Sequence, residues 1–207
     1  MKSRLVIVDV DDVLIDLNKN IEKRINKMGY TDYKVENIKT YDLNKDINVS
    51  MLPEKQRSFM DNGLGCPREL ILSCYSDVES FYYAPIVKNA YEGLKLLSDK
   101  FDVLIHTSSY NMNIIRFKMD LFGSKFKNLR LDYNFCCGKE KPAFNNVFAV
   151  FEDSIPNIVK YDDETIKLLV DRPQNCELFN NDLLSKVKNI NRVENFYTGV
   201  QYLLKEC

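Results

Sequence analysis

A chain of 207 residues with 45% hydrophobic and 29% charged side chains has the composition of an ordinary soluble protein, long enough for one sizeable core and a small insertion. Its formal net charge of -1 argues against a generally basic nucleic-acid surface, and no apolar run suggests a membrane span or a secretory leader. The six cysteines form no C-x-x-C pair and only one His accompanies them, so reduced thiols in a cytoplasmic protein are expected rather than a zinc site or disulfide framework.

The first element is Leu5-Val6-Ile7-Val8, a continuous apolar run that reads as a strand buried on both faces. It runs into Asp9-Val10-Asp11-Asp12. Carboxylates at the end of a buried strand need a cation or a cluster of donors. Asp9 and Asp11 lie two apart, on one side of an extended chain, with Asp12 turned away. Two convergent carboxylates in that position suit Mg2+-assisted phosphoryl transfer, one attacking phosphorus and holding the metal while the other moves protons.

Helical spacing of Ile21, Ile25 and Met28 predicts a helix over 18–28, stopped by Gly29. From Tyr30 to about Ser80 the chain is polar, with short helices expected at 35–38, 53–60 and 67–75 and a turn at Asn62-Gly63-Leu64-Gly65. Regular alternation resumes at Ile86: a helix over 87–97, a strand over 102–106, a helix over 112–122 closed by Gly123, and strands over 129–135, 146–151 and 166–170. Helices over 181–187 and 193–204 close the chain. The expected fold is α/β, a five-stranded parallel sheet covered on both faces. Asp9, Asp11, Thr107, Glu152 and Asp153 all follow strands, at the sheet edge where such folds collect functional groups.

Asp9-Val10-Asp11-Asp12-Val13-Leu14 resembles the first motif of the haloacid dehalogenase-like (HAD) phosphohydrolases. Val103-Leu104-Ile105-His106-Thr107 is similar to the second, in which the Thr107 hydroxyl and the N–H groups of Ser108 and Ser109, at a turn into a helix, would hold phosphate. Glu152-Asp153 after Val147-Phe148-Ala149-Val150-Phe151 is similar to the fourth, where acids complete the Mg2+ shell. Lys139 and Lys141 both qualify as the lysine of the third motif, and Lys141, followed by Pro142, fits better. The resemblance implies a Rossmann-like HAD core at 1–15 and 86–207 with a helical cap at 16–85. It implies a metal held by Asp9, Asp11 (through its carbonyl), Asp153 and Glu152, with an aspartyl-phosphate formed on Asp9.

Within that superfamily the chain resembles the 5'(3')-deoxyribonucleotidases. The stretches that carry this are Asn37-Ile38-Lys39-Thr40-Tyr41-Asp42-Leu43, Ser80-Phe81-Tyr82-Tyr83-Ala84-Pro85-Ile86, His106-Thr107-Ser108-Ser109 and Val170-Asp171-Arg172-Pro173-Gln174-Asn175. A nucleoside monophosphate is therefore the expected substrate, with Leu17, Tyr41 and Phe81 as candidate cap contacts; a sugar phosphate, phosphoglycolate, or a silent binding role are the alternatives. Three departures stand out: Ser154-Ile155 after the fourth-motif acids, Leu17 where an aromatic is common, and Ile114 and Phe117 where a Lys-x-x-Trp lysine and tryptophan are found. No membrane or stable nucleic-acid partner is expected, and a homodimer is compatible with the sequence.

Overall fold

The computed structural model describes residues 4–31, 33–37, 68–109, 111–138, 141–176 and 187–206. The helix expected at 53–60, the turn at 62–65, nearly all of the helix expected at 181–187, and residues Tyr41 and Lys139 lie outside the described residues.

Six parallel strands form one sheet, β1 (Leu5–Val8), β2 (Asp102–Ser109), β3 (Asp132–Cys137), β4 (Val147–Glu152), β5 (Ile166–Val170) and β6 (Ile190–Val193), in the order β3-β2-β1-β4-β5-β6. The sequence reading expected five. The sixth, Ile-Asn-Arg-Val, has two polar residues at its centre and its residues are mostly half-buried, so it lacks the apolar run that marked the others. Its last residue, Val193, was expected to open the closing helix, which instead spans Phe196–Lys205. β1 lies between β2 and β4, so the chain reverses its direction of winding there, and the strand ends flanking such a switch point form a natural crevice.

The helices are α1 (Leu17–Lys27), α2 (Arg68–Ser76), α3 (Val78–Tyr82), α4 (Ala90–Ser98), α5 (Met112–Lys125), α6 (Ile155–Ile158), α7 (Pro173–Cys176) and α8 (Phe196–Lys205). α1 ends as expected at Gly29, whose φ of 103° is open to glycine and strained for other residues. α5 does not stop at Gly123: Phe122 and Phe126 stack with ring centroids 5.0 Å apart and carry the turn onward to a cap at Phe126. No described helix is long and apolar enough to cross a membrane.

α2 and α3 both pack on α1. The chain leaves and re-enters the sheet region along one seam, where Asp16 N–H donates to the Pro85 carbonyl (2.8 Å) and Val87 N–H to the Leu14 carbonyl (2.9 Å). Asn20 Nδ2 donates to the Ser80 carbonyl, and Arg24 donates to Ser80 Oγ and pairs with Asp77, tying α1 to α3.

On the opposite side α8 packs against α4 and β4. A Cβ at Gly199 would stand 2.8 Å from Phe151 Cε1 and 3.1 Å from Val193 Cγ2. Alanine usually favours a helix over glycine, but here the Phe151 ring is buried and stacks edge-on against Phe196. Gly199→Ala is expected to destabilise the protein by about 1–3 kcal/mol in chemical denaturation. A raised midpoint would show that the ring yields.

Candidate active site

β1 stops where its hydrogen bonding changes. Asp9 N–H still donates to the Phe151 carbonyl of β4 (3.0 Å), after which the chain coils so that Val13, Leu14 and Ile15 all donate N–H groups to the Val10 carbonyl. The turn needs a left-handed residue, and Asp12 supplies it with φ 56°, a conformation its short polar side chain tolerates. Its carboxylate is buried and accepts from Asn18 N–H (3.0 Å) in the first turn of α1, while its carbonyl accepts from Arg172 Nε (2.6 Å). Burial pushes the Asp12 carboxyl up to about 7, against the pull of Asn18 and Arg172.

This coil sets Asp9 beside the ends of β2 and β4. Carboxylate oxygens of Asp9, Glu152 and Asp153 lie within 4.8 Å of one another, and all three residues are buried. Lys141 stands among them, its Nζ 2.7 Å from Asp9 Oδ1 and 2.6 Å from Glu152 Oε2. Burial by itself would push the Lys141 ammonium down, but Asp9 and Glu152 outweigh it and hold the group well above the usual lysine range. Glu152 also accepts from Asn157 Nδ2 (3.1 Å); burial, then Asp9, push its carboxyl up to about 8, with Lys141 opposing. Asp153 accepts from Gln174 Nε2 at Oδ2 (3.1 Å) and from Asn175 Nδ2 at its carbonyl (2.9 Å), so the segment after β5 fixes the end of β4.

Asp11 stands apart from this oxygen cluster. Its Oδ2 accepts from Lys118 Nζ at 2.6 Å, and the same ammonium donates to Thr107 Oγ1 at 2.8 Å. Lys118 has no exposed surface and lies under the Phe81 ring, 5.2 Å from its centroid, within cation–π range. Burial raises the Asp11 carboxyl, Lys118 lowers it and Asp9 raises it, with a net upward shift.

Sequence reasoning missed Lys118. It sits one helical turn after Ile114, where a lysine was judged replaced, and one turn before Phe122, and all three are buried on one face of α5. A lysine interrupting an apolar stripe was the available signal.

The remaining expectations fall as follows. Thr107 is buried at the crevice, but β2 continues through Ser108 and Ser109, which pair with Cys136 and Cys137 of β3. The expected phosphate-binding turn at Ser108-Ser109 is therefore strand, and α5 is capped later by Asn111, which accepts from Asn113 N–H (2.9 Å). Leu17 and Phe81 pack in the main hydrophobic core, each 3% exposed. His106 is buried, its ring nitrogens facing the carbonyls of Asn134 (3.3 Å) and Pro142 (2.9 Å), a packing role that anchors the segment bearing Lys141. Burial, reinforced by Lys141, lowers its imidazole below the usual range.

Comparison with known proteins gives a fold. No protein-family model matches the sequence, and no curated protein does. Among solved structures, a haloacid dehalogenase-like hydrolase from Streptococcus pneumoniae superposes with a TM-score of 0.55 at 12% identity, over 99% of this chain and 98% of that one. A Bacillus subtilis protein described as the HAD-hydrolase YfnB, bound to magnesium, gives 0.53 at 10% identity over 100% and 99%. A Thermotoga maritima protein described as a β-phosphoglucomutase gives 0.51 at 15% identity over 98% of each chain. The chain therefore has the fold of the haloacid dehalogenase-like hydrolases, with a buried acidic cluster at the carboxyl ends of its central strands.

Proposed function

We propose that the protein is a Mg2+-dependent phosphatase that hydrolyses a small phosphomonoester through an aspartyl-phosphate on Asp9. The observation that carries the reading is the Asp9, Glu152 and Asp153 cluster with the Lys141 ammonium built into it. With all three carboxylates ionised, as a bound cation would favour, the cluster and its ammonium would carry two negative charges on hard oxygen donors, which fits a divalent ion such as Mg2+ better than a soft metal. Asp9, Asp153 and Glu152 would hold it, with the Asp11 carbonyl, and a bound ion would offset the repulsion between carboxylate and phosphate.

The chain's own groups supply the rest. Asp9 attacks phosphorus in line, and the bond from phosphorus to the leaving oxygen breaks as that oxygen takes a proton from Asp11. Water then attacks the aspartyl-phosphate, gives its proton to Asp11 and restores the Asp9 carboxylate. Thr107 and Lys141 hold phosphoryl oxygens, with Ser108, next after Thr107 on β2, as a further candidate. Residues 16–85 act as a cap over this crevice, 1–15 and 86–207 forming the core; the seam of hydrogen bonds at 14–16 and 85–87 is where a cap would hinge.

The motif order along the chain supports a nucleoside monophosphate as substrate. The core packing of Leu17 and Phe81 supports a smaller one, because neither ring nor side chain offers a free face for a base, Phe81 being turned onto Lys118. Phosphate release should be measured with Mg2+ from nucleoside monophosphates, sugar phosphates and phosphoglycolate, each repeated with EDTA. Release that EDTA abolishes is expected, and the preferred ester decides between the two substrates. A folded protein that releases phosphate from none of them overturns the reading.

A further inference from the structure

Lys118 is the one donor to the Asp11 side chain among the described residues, and Asp11 Oδ1 is buried there with no partner at all. It is also the one hydrogen-bond partner of the Thr107 hydroxyl among those residues. An ammonium has three N–H groups and no lone pair, so it must donate at both contacts. Two consequences follow. The Asp11 carboxyl group, its side chain 27% exposed but its Oδ1 buried, is fixed about its terminal torsion by a single charge-assisted bond, and has no other donor among the described residues. The Thr107 oxygen is committed as an acceptor, so its own hydrogen is turned away from Lys118 and remains unspent.

Resting on the phosphatase reading above, we propose that Lys118 is a positioning residue. Its one ammonium holds Oδ2 of the Asp11 carboxyl group, so that the proton carried on Oδ1 passes to the leaving oxygen, and it makes Thr107 a donor to the phosphoryl group. Lys118 is fully buried with the Phe81 ring over it, which keeps water from competing for the ammonium, while the Asp11 side chain it holds is 27% exposed toward the crevice. Proton transfer from Asp11 matters for a poorly leaving alkoxide and little for a nitrophenolate, which departs unprotonated. A general structural fault slows both esters alike, so the two roles separate by leaving group.

The experiment compares single-turnover alcohol release from an alkyl phosphate and from p-nitrophenyl phosphate, with Mg2+, in the intact protein, Lys118→Met and Lys118→Arg. In Lys118→Met the alkyl ester is expected to slow by about 10²-fold and the aryl ester by no more than about fivefold, the span that general acid catalysis supplies. In Lys118→Arg, which keeps the charge but whose planar fork misfits a lysine-sized cavity, the same selectivity is expected at about tenfold. Thr107→Val should instead raise KM for both esters and leave their ratio unchanged. Equal slowing of both esters in either folded Lys118 variant, or no slowing in either, overturns the proposal. If the intact protein hydrolyses neither ester, the phosphatase reading itself fails and this inference falls with it.

Discussion

Asp9→Asn is expected to lower phosphate release by at least about 10⁴-fold, the scale on which removing a covalent nucleophile is felt. The amide cannot form the acyl phosphate, so a hydroxylamine-sensitive phosphoenzyme should form in the intact protein and be missing from the variant. The fold should survive. Asp9 is buried between β1 and β4, and its side chain's recorded partner is Lys141, which keeps its second bond to Glu152 at 2.6 Å. Removing the Asp9 charge also takes away one of the causes that raise Glu152, so the lost ion pair is partly offset by relief of like-charge repulsion. Urea unfolding of the metal-free variant should therefore differ from the intact protein by no more than about 2 kcal/mol, far less than removal of one partner from an isolated buried pair. Full activity in a folded Asp9→Asn protein would exclude Asp9 as the nucleophile.

Much of this centre was legible in the sequence because it sits where local patterns are strongest. Buried parallel strands are continuous apolar runs, so the acids that follow such runs, Asp9, Glu152 and Asp153, mark strand ends, while Thr107 follows its run from within β2. What stayed hidden depends on long-range placement. β6 is recognisable only through its pairing with β5, since Asn191 and Arg192 break its apolar run. The end of β2 was set three residues early because Thr-Ser-Ser reads as a turn, whereas pairing with β3 holds it extended to Ser109. Lys118 is separated by 107 positions from the carboxylate it binds, and only the packing of α5 against β2 and β3, beside β1 in the sheet, brings them together. Leu17 and Phe81 failed in the other direction: the sequence offers them as substrate contacts, but core packing takes their surfaces.

Lys141→Met tests the electrostatics of the acidic cluster, and its signature lies in pH and Mg2+ together. The Lys141 side chain is 4% exposed and its ammonium binds two buried carboxylates, so its loss leaves Asp9 and Glu152 facing each other in a low-dielectric site. Burial and Asp9 already hold Glu152 up at about 8, with Lys141 and the Asn157 amide on its oxygens and Asp153 beside it. Because the folded value lies above the ordinary 4.5, Glu152 contributes stability that is complete below about 4.5 and is lost as pH rises through about 8. Removing Lys141 takes away the influence that opposes this rise, so the variant's Glu152 should keep its proton to still higher pH. Loss of the buried ion pair with Asp9 should weaken the variant at every pH, by about 3–5 kcal/mol in urea unfolding without metal, and because its Glu152 ionises later, the loss should be larger at pH 9 than at pH 6 by about 1–1.5 kcal/mol. The raised Asp12 acts with the same sign in both proteins and drops out of the comparison. Saturating Mg2+ should recover part of the loss at pH 8, since a divalent ion replaces the missing positive charge and favours the ionised carboxylates. A loss that is the same at pH 6 and pH 9 and indifferent to Mg2+ would mean that Lys141 supports the fold by packing, and that the three carboxylates are not read electrically as one site.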